Sequence, residues 1–350
     1  MKPKFLLLFS TFIAILFSAC SPTIPLQVLQ PADMIVPEHI QTIVTVDRSK
    51  PEKGFSNFLE GLVSGEAIAQ DREGRKAALQ GLTDALSRTP RFTVKHSGVE
   101  LIGSKGGNSF AAPLEWGEVE KLCRQYNAQA LVTIETYDSD NNISYNTRQE
   151  KYKKDGKELT RTKYDARLDM TIRIGWRFYD PKARVIIDEY TATDQENASR
   201  TGDTQDAARR SLQSQTSISR DASKAAGAKY GMRIAPVWIT VHRNFYDSGK
   251  GSAGDKMAEA ARFAKADQWE KAAEIWRALL TTSVDSKTAG RAAYNLAVAN
   301  ERAGQLESAV EWAQRAYTQY GNKKGQSYIV DLKNRISDQA RLQQQMKEKV

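Results

Sequence analysis

The clearest hydrophobic pattern in the chain is an alternation. Tyr164, Ala166, Leu168, Met170, Ile172, Ile174, Trp176 and Phe178 are apolar, with Asp165, Arg167, Asp169, Thr171, Arg173, Gly175 and Arg177 between them. A period of two predicts a strand with one buried and one wet face. Asp155-Gly156 upstream is a hairpin signal, and Asp180-Pro181 downstream is a turn into another β-rich run. Strands near 143–153, 158–178 and 184–193 are therefore expected as an antiparallel meander, the middle one too long to run unbroken. Lipid-facing barrel strands alternate in the same way. Residues 143–153, however, carry Asn, Gln, Glu and Lys on both parities, which favours a half-buried sheet.

Upstream, strands and helices alternate. Residues 42–47 are β-branched and read as a strand. Residues 75–88 place Leu79, Leu82 and Leu86 on one helical face, stopped by Pro90. A short strand at 92–96, a glycine-rich loop at 98–109, a helix at 116–126 and a strand at 130–136 follow. This β-α-β-α-β order predicts an α/β sandwich with the early strands central. Downstream of the meander, a long helix over 206–232 precedes Pro236 and a last strand at 237–244. The Gly-Ser-rich stretch 248–254 reads as a domain boundary.

Beyond it the chain repeats itself. Ala260, Phe263, Trp269, Ala272, Trp276 and Leu279 recur 37 residues later as Ala297, Asn300, Leu306, Ala309, Ala313 and Ala316. The offsets are those of a tetratricopeptide repeat, whose bare length is about 34. Small residues allow close helix approach, and Trp276 and Trp312 fill the gaps. A polar stretch at 327–346, with Tyr328, Leu332, Ile336 and Met346 on one stripe, suits a capping helix. Such hairpins serve either as a groove for a protein partner or as a plain spacer. The expected fold class is α+β. Its parts are a signal peptide (1–19), a tether (20–40), an α/β domain (41–247), a linker (248–254) and a tetratricopeptide-like helical domain with its cap (255–350).

The N-terminus changes the picture of where this protein works. Lys2 and Lys4 precede an apolar run over 5–17, then Ser18, Ala19 and Cys20. That run is too short for a membrane span and reads as an export signal. Phe17-Ser18-Ala19-Cys20 resembles the lipobox of bacterial lipoproteins, with Phe17 in place of the usual Leu; an ordinary secretory signal with an incidental Cys is the alternative. Acyl chains on Cys20 would anchor the protein, at about 0.8 kcal/mol per buried methylene. Ser21, rather than Asp, implies the outer membrane by the general sorting rule, and a periplasm-facing anchor is expected. With Cys20 acylated, Cys123 has no disulfide partner. It lies on a helical stripe with Val119, Leu122 and Tyr126 and reads as a buried, inert thiol.

Composition adds charge. There are 51 Lys and Arg against 42 Asp and Glu, for a formal +9, with 40% hydrophobic residues and only three His. Without Lys2 and Lys4 the charge is +7, and +6 of it lies between Asn142 and Arg184. Export makes a nucleic-acid partner unexpected. The wet sheet face, or the turn with Lys151, Lys153, Lys154 and Lys157, is a candidate contact for lipid phosphates or an anionic envelope polymer. A solvated edge that discourages strand pairing is the alternative.

Candidate chemistry is sparse. His39, His96 and His242 are isolated, so neither a metal site nor a cofactor is expected. Asp138-x-Asp140-x-Asn142 opens like a calcium loop, but Ile143 and Gln149 stand where Gly and Glu belong, which leaves an acidic strand-end turn. Ser104-Lys105-Gly106-Gly107 lacks the ending of a phosphate loop.

Several stretches together resemble a family of Bacteroidota lipoproteins classed as a domain of unknown function. They are Leu29-Gln30-Pro31-Ala32, Gly175-Trp176-Arg177-Phe178-Tyr179-Asp180-Pro181, Asp188-Glu189-Tyr190, Ile234-Ala235-Pro236-Val237-Trp238 and Ala289-Gly290-Arg291-Ala292-Ala293-Tyr294-Asn295. The resemblance implies a periplasmic lipoprotein with a tetratricopeptide-like C-terminus and no assigned activity. The element order of the first domain is also similar to that of curli-secretion (CsgG-like) and penicillin-binding-protein activator (LpoB-like) lipoproteins. Two functions are expected to compete. One is a non-catalytic, lipid-anchored envelope scaffold binding a protein partner through its repeats. The other is an envelope glycan-binding or glycan-processing lipoprotein using the α/β domain.

Overall fold

The structure is a computed structural model that describes residues 22–51, 65–104 and 109–346. The export signal, Cys20 and Lys105-Gly106-Gly107 lie outside the described residues. Two compact units are present: 28–239 with 338–346 form one, and 22–27 with 240–337 the other.

The first unit is built on a five-stranded sheet. Its strands are β2 (Thr42–Pro51), β3 (Thr93–Ser104), β4 (Ala130–Lys154), β5 (Lys157–Asp180) and β6 (Val185–Gly202), in the order β3-β2-β4-β5-β6. β2 runs parallel to both β3 and β4, and β4, β5 and β6 form the antiparallel meander. Helices α1 (Gly65–Leu86) and α4 (Gln215–Ile234) cover one face. Leu79, Leu82 and Leu86 of α1 meet Ile218, Ala222 and Tyr230 of α4 over Ile43, Val132, Leu168, Ile172 and Trp176. The two helices touch backbone to backbone: a Cβ on Gly81 or Gly227 would collide with the carbonyl of Lys224 or Ala78. That contact explains why α4 presents small residues rather than an aliphatic stripe. Against the opposite face, α2 (Trp116–Gln125) packs Val119, Leu122 and Cys123 on Val44, Val46, Leu131 and Tyr179.

Several expectations are corrected. β5 runs 24 residues unbroken, because β4 pairs with it from end to end and β6 supports it from Tyr164 to Asp180. No turn occurs at 138–142; these residues continue β4, where Arg173 on β5 holds Asp138 and Asp140 at 2.8 Å each. The helix expected over 206–232 is two, α3 (Gln205–Ser211) and α4, separated at 212–214, where Ser214 caps α4 by accepting the Ser217 N–H. Part of the glycine-rich loop belongs to β3, which extends to Ser104. The Asp155-Gly156 hairpin is present, with left-handed φ of 52° and 76°.

The tether is also structured. Residues 23–30 form β1 (Thr23–Gln30), paired with β7 (Val237–Asn244), and Ala32, Val36 and Ile40 are buried. Apolar residues at 26, 32, 36 and 40 need cover that a free tether could not give.

The second unit contains α5 (Ser252–Lys265), α6 (Trp269–Thr281), α7 (Ser286–Arg302), α8 (Leu306–Thr318) and α9 (Lys323–Gln345). The units do not part at 248–254. α5 already starts at Ser252, and residues from Thr240 group with the helices because Phe245 packs edge-on against Trp269 and Trp276. The internal repeat is visible in burial: Ala260, Ala272, Trp276, Ala297, Leu306, Ala309 and Ala313 are all fully buried. Asp267 and Gly304, 37 residues apart, both take left-handed φ (61° and 76°) in the turns between paired helices.

Candidate functional site

The most concentrated charge in the first unit is buried on the sheet. Glu135, fully buried, stands on β4 where the register with β5 shifts between Ile134 and Thr136. The extra residue of such a bulge has no partner strand position, so its side chain is free to be re-aimed. One Glu135 oxygen accepts from Arg48 Nη1 at 2.7 Å and Arg177 Nη1 at 3.3 Å; the other accepts from Thr133 Oγ1 at 2.6 Å and Tyr179 OH at 3.1 Å. Both arginines reach on to the chain beyond: Arg48 donates to the Ala112 carbonyl and Arg177 to that of Ala111, each at 2.7 Å. Phe110 lies against the Arg177 guanidinium at 4.9 Å. Burial and the charge of Glu135 push the Tyr179 hydroxyl above its ordinary value. With every carboxylate oxygen bonded, the cluster clamps residues 110–112 to the sheet. Arg177 is thus not on the wet face that the alternation assigns to it. Gly175 was the sequence signal for this: a Cβ there would strike Thr136 and Phe110.

A pocket of about 430 Å³ opens beside α2, lined by His39, Glu120, Cys123, Arg124, Ala128, Gln129, Pro181 and Lys182. His39 Nε2 lies 3.1 Å from Asp180, whose Oδ1 also accepts the Lys182 and Ala183 N–H groups of the turn. Glu120 is held by Arg184 at 2.9 Å. Cys123 is buried, and burial together with the Asp180 charge pushes its thiol up to about 12. A thiol so placed stays protonated near neutrality and is a poor nucleophile. The inert reading of Cys123 agrees with this environment.

A third polar group joins α1, β4 and α4. Asp71 accepts from Ser139 Oγ at 2.5 Å, and Tyr137 OH lies 2.7 Å from Ser223 Oγ and 3.3 Å from Ser219 Oγ. Burial raises the Asp71 carboxyl to about 6, against the lowering pull of Ser139 and Arg75.

Lys151, Lys153, Lys154 and Lys157 come together at the exposed tip of the β4–β5 hairpin. Lys151 lies 4.0 Å from Glu158, and Lys154 pairs across the turn with Lys157. Most other cations of this basic stretch are matched: Arg148 with Asp165, Arg161 with Glu150, Lys163 with Asp203, Arg167 with Asp169, Arg173 with Asp138 and Asp140, and Arg184 with Glu120. The local surplus therefore narrows from the sheet face to its tip.

In the second unit Ala260, Ala272, Trp276, Ala297, Leu306, Ala309 and Ala313 lie in one apolar cluster. Trp269 is buried, while Phe263 and Trp312 are half-buried with Lys271 and Arg315 over their rings at 5.6 and 4.3 Å. Sequence reasoning missed Glu301, a fully buried carboxylate on α7. It accepts from Arg243 at 2.8 and 3.1 Å, Arg335 at 2.6 Å and Tyr328 at 2.5 Å. Burial alone would raise this carboxyl, but the three donors outweigh it and hold Glu301 below its ordinary value. Nothing in a run of alanines signals that partners from β7 and α9 converge there. Among the described residues no group of His, Cys, Asp and Glu could hold a metal ion, and no helix is long and apolar enough to cross a membrane.

Residues 40–246 match a family model described as "Domain of unknown function (DUF8603)", and residues 258–343 match another, "Domain of unknown function (DUF6340)". No curated protein matches the chain. Among solved structures, a PelC dodecamer from Paraburkholderia phytofirmans is 12% identical, with 61% of this chain and 98% of that chain covered at a TM-score of 0.24. A putative neuraminyllactose-binding hemagglutinin homolog from Helicobacter pylori is 13% identical, with 56% and 81% covered at a TM-score of 0.24. At such TM-scores neither likeness says anything of this chain.

Proposed function

We propose, for a chain that belongs to the family described as Domain of unknown function (DUF8603), the role of a non-catalytic, lipid-anchored scaffold of the bacterial envelope. In this reading Cys20 carries the lipid in the outer membrane. The α/β unit faces the periplasm, and tetratricopeptide-like hairpins over 255–346 bind an envelope protein. One observation carries the proposal: five of the six pairs in the 37-residue recurrence are buried at both positions, and left-handed turns recur at Asp267 and Gly304. Repeated helical hairpins present broad recognition surfaces rather than reaction centres. The polar clusters fit the same reading, since the oxygens of Glu135 and Glu301 are all taken up by donors from the protein.

Tyr317 on α8 and Val330 on α9 are large side chains left exposed, at 37% and 56%. A photo-crosslinking residue at either position should capture one stoichiometric envelope protein in cells. Tyr317→Glu with Val330→Glu should abolish its recovery, with the protein still membrane-bound. No adduct at exposed positions of the helical unit would count against the scaffold. Cys20→Ala should release the protein from membrane fractions once the signal is removed; a variant that floats with the membrane sinks the anchor. The second reading, an envelope glycan-binding protein, has the His39–Lys182 pocket behind it. Saccharide binding by calorimetry that is lost in Lys182→Ala would favour it over the scaffold.

A further inference from the structure

Pro22 accepts the Phe245 backbone N–H through its carbonyl at 2.9 Å. β1 then runs beside β7, with Thr23 Oγ1 2.7 Å from Asn244 and Gln27 Nε2 2.9 Å from Thr240. Only Ser21 separates Cys20 from Pro22. Two residues of extended chain span at most about 7 Å. An acylated Cys20 would therefore leave this end of the helical unit no slack, and whatever surrounds Phe245 would meet the headgroups.

Phe245 itself is buried against Trp269 and Trp276, and the surface that follows it is basic. Tyr246, the next residue, carries Arg291 over its ring at 5.1 Å and Lys324 at 5.3 Å. Arg291 also donates to the Ser248 carbonyl at 2.8 Å. The Lys250 N–H donates to Thr288 Oγ1 at 3.0 Å, which sets this lysine beside Lys287 in the first turn of α7. Asn322 ties in the start of α9: it accepts from Tyr246 OH at 3.4 Å and donates to the Gly290 carbonyl at 3.0 Å, with Lys323 and Lys324 following. Lys250, Lys287, Lys323 and Lys324 are exposed. Among the described residues none of these five cations is in an ion pair. The carboxylates on the same segments are Asp247, taken by Lys265 at 3.8 Å, Asp285, which accepts from Thr288 N–H and hydroxyl, and Asp255 at the start of α5.

We infer that this Tyr246 end, at the root of the anchor, seats the protein on the phosphates of anionic lipid headgroups. The inference rests on the acylation of Cys20 proposed above. A cation near an anionic leaflet is attracted over roughly one Debye length, about 10 Å at moderate salt. A tether shorter than that holds the root of the helical unit within the field, so acyl chain and charge act as two signals for one surface.

The test uses the acylated full-length protein reconstituted in vesicles, labelled with a lysine-reactive reagent and read by mass spectrometry. In phosphatidylglycerol-containing vesicles, Lys250, Lys287, Lys323 and Lys324 should label about threefold or more slowly than in pure phosphatidylcholine vesicles, a difference that high salt removes. Lys271 serves as the internal reference and should not change. Equal rates at the four lysines overturn the inference. Protection at Lys151, Lys153, Lys154 and Lys157 instead also overturns it and moves the contact to the β4–β5 hairpin. The mass of the N-terminal peptide separates the two failures. An unmodified Cys20 removes the anchored reading and this inference together, whereas an acylated Cys20 with equal lysine rates removes the inference alone.

Discussion

Asp71 shows how a single buried carboxyl can set a pH response. Burial raises it to about 6 from an ordinary 3.8, so folding binds its proton more tightly than the unfolded chain does. The stability tied to that proton is complete below about pH 4 and is lost as pH rises through about 6. At neutral pH the charged form is held where it is poorly solvated. Asp71→Asn should therefore raise stability at pH 7 by about 2 kcal/mol and flatten the melting temperature between pH 4 and 6. Denaturant titrations at both pH values check this; an unchanged pH slope would show that another group controls it. Glu301 has the opposite sign: its carboxyl is lowered by Arg243, Tyr328 and Arg335, so its contribution is present at neutral pH and fades on acidification.

At the scale of elements, the two hairpins of the helical unit use different residues for one backbone need. Gly304 takes a φ of 76° at no steric penalty, whereas Asp267 takes 61° with a side chain attached. Gly304→Ala should cost about 1 kcal/mol in equilibrium unfolding, since a left-handed L-residue is disfavoured by that order. A neutral substitution would mean that the turn relaxes. The recurrence behind this comparison was legible in the sequence, because small residues at fixed spacing leave a mark that packing does not erase. The alternation of β5 was equally legible as far as which face is which. What covers a face was not. Arg177 occupies a polar position of that alternation yet is buried, because residues 110–112, distant in sequence, close over it. Glu135 was invisible for a related reason: a bulge is a property of two strands in register, and one strand's residues do not announce it. Asp138 and Asp140 read as a turn because their arginine lies 35 and 33 residues away. The split between α3 and α4 did leave a signal, Ser214 as a cap, but it is lost in a polar stretch of similar residues.

On the scale of the whole molecule, neither unit is one continuous segment. The strand β1 begins in one unit and ends in the other, and the last turns of α9 belong with the sheet. Gln345 closes the first unit as a strand would: its Oε1 accepts the Ala32 N–H at 2.9 Å and its Nε2 donates to the Ala32 carbonyl at 2.8 Å. Arg341 donates to the same carbonyl at 2.6 Å. Ala32 is buried, so losing this side-chain amide leaves the Ala32 N–H unpaired away from water, while its carbonyl keeps Arg341. Gln345→Ala should destabilise the sheet unit by about 1–3 kcal/mol in urea unfolding. Hydrogen exchange at the Ala32 amide should rise with it, and protection that survives the substitution would show that water replaces the amide.

The Ala32–Gln345 clasp also orders events in time. In sequence, 313 residues separate its two halves, so the first unit stays open until residue 345 has been synthesised. The second unit waits from the other side, since Pro22 and β1 must be held ready until Phe245 and β7 arrive. Long-separated partners fold slowly because loop closure precedes any reward. A nascent chain built this way remains threadable until residue 345 has emerged, and its first unit closes only when that residue is free to reach Ala32.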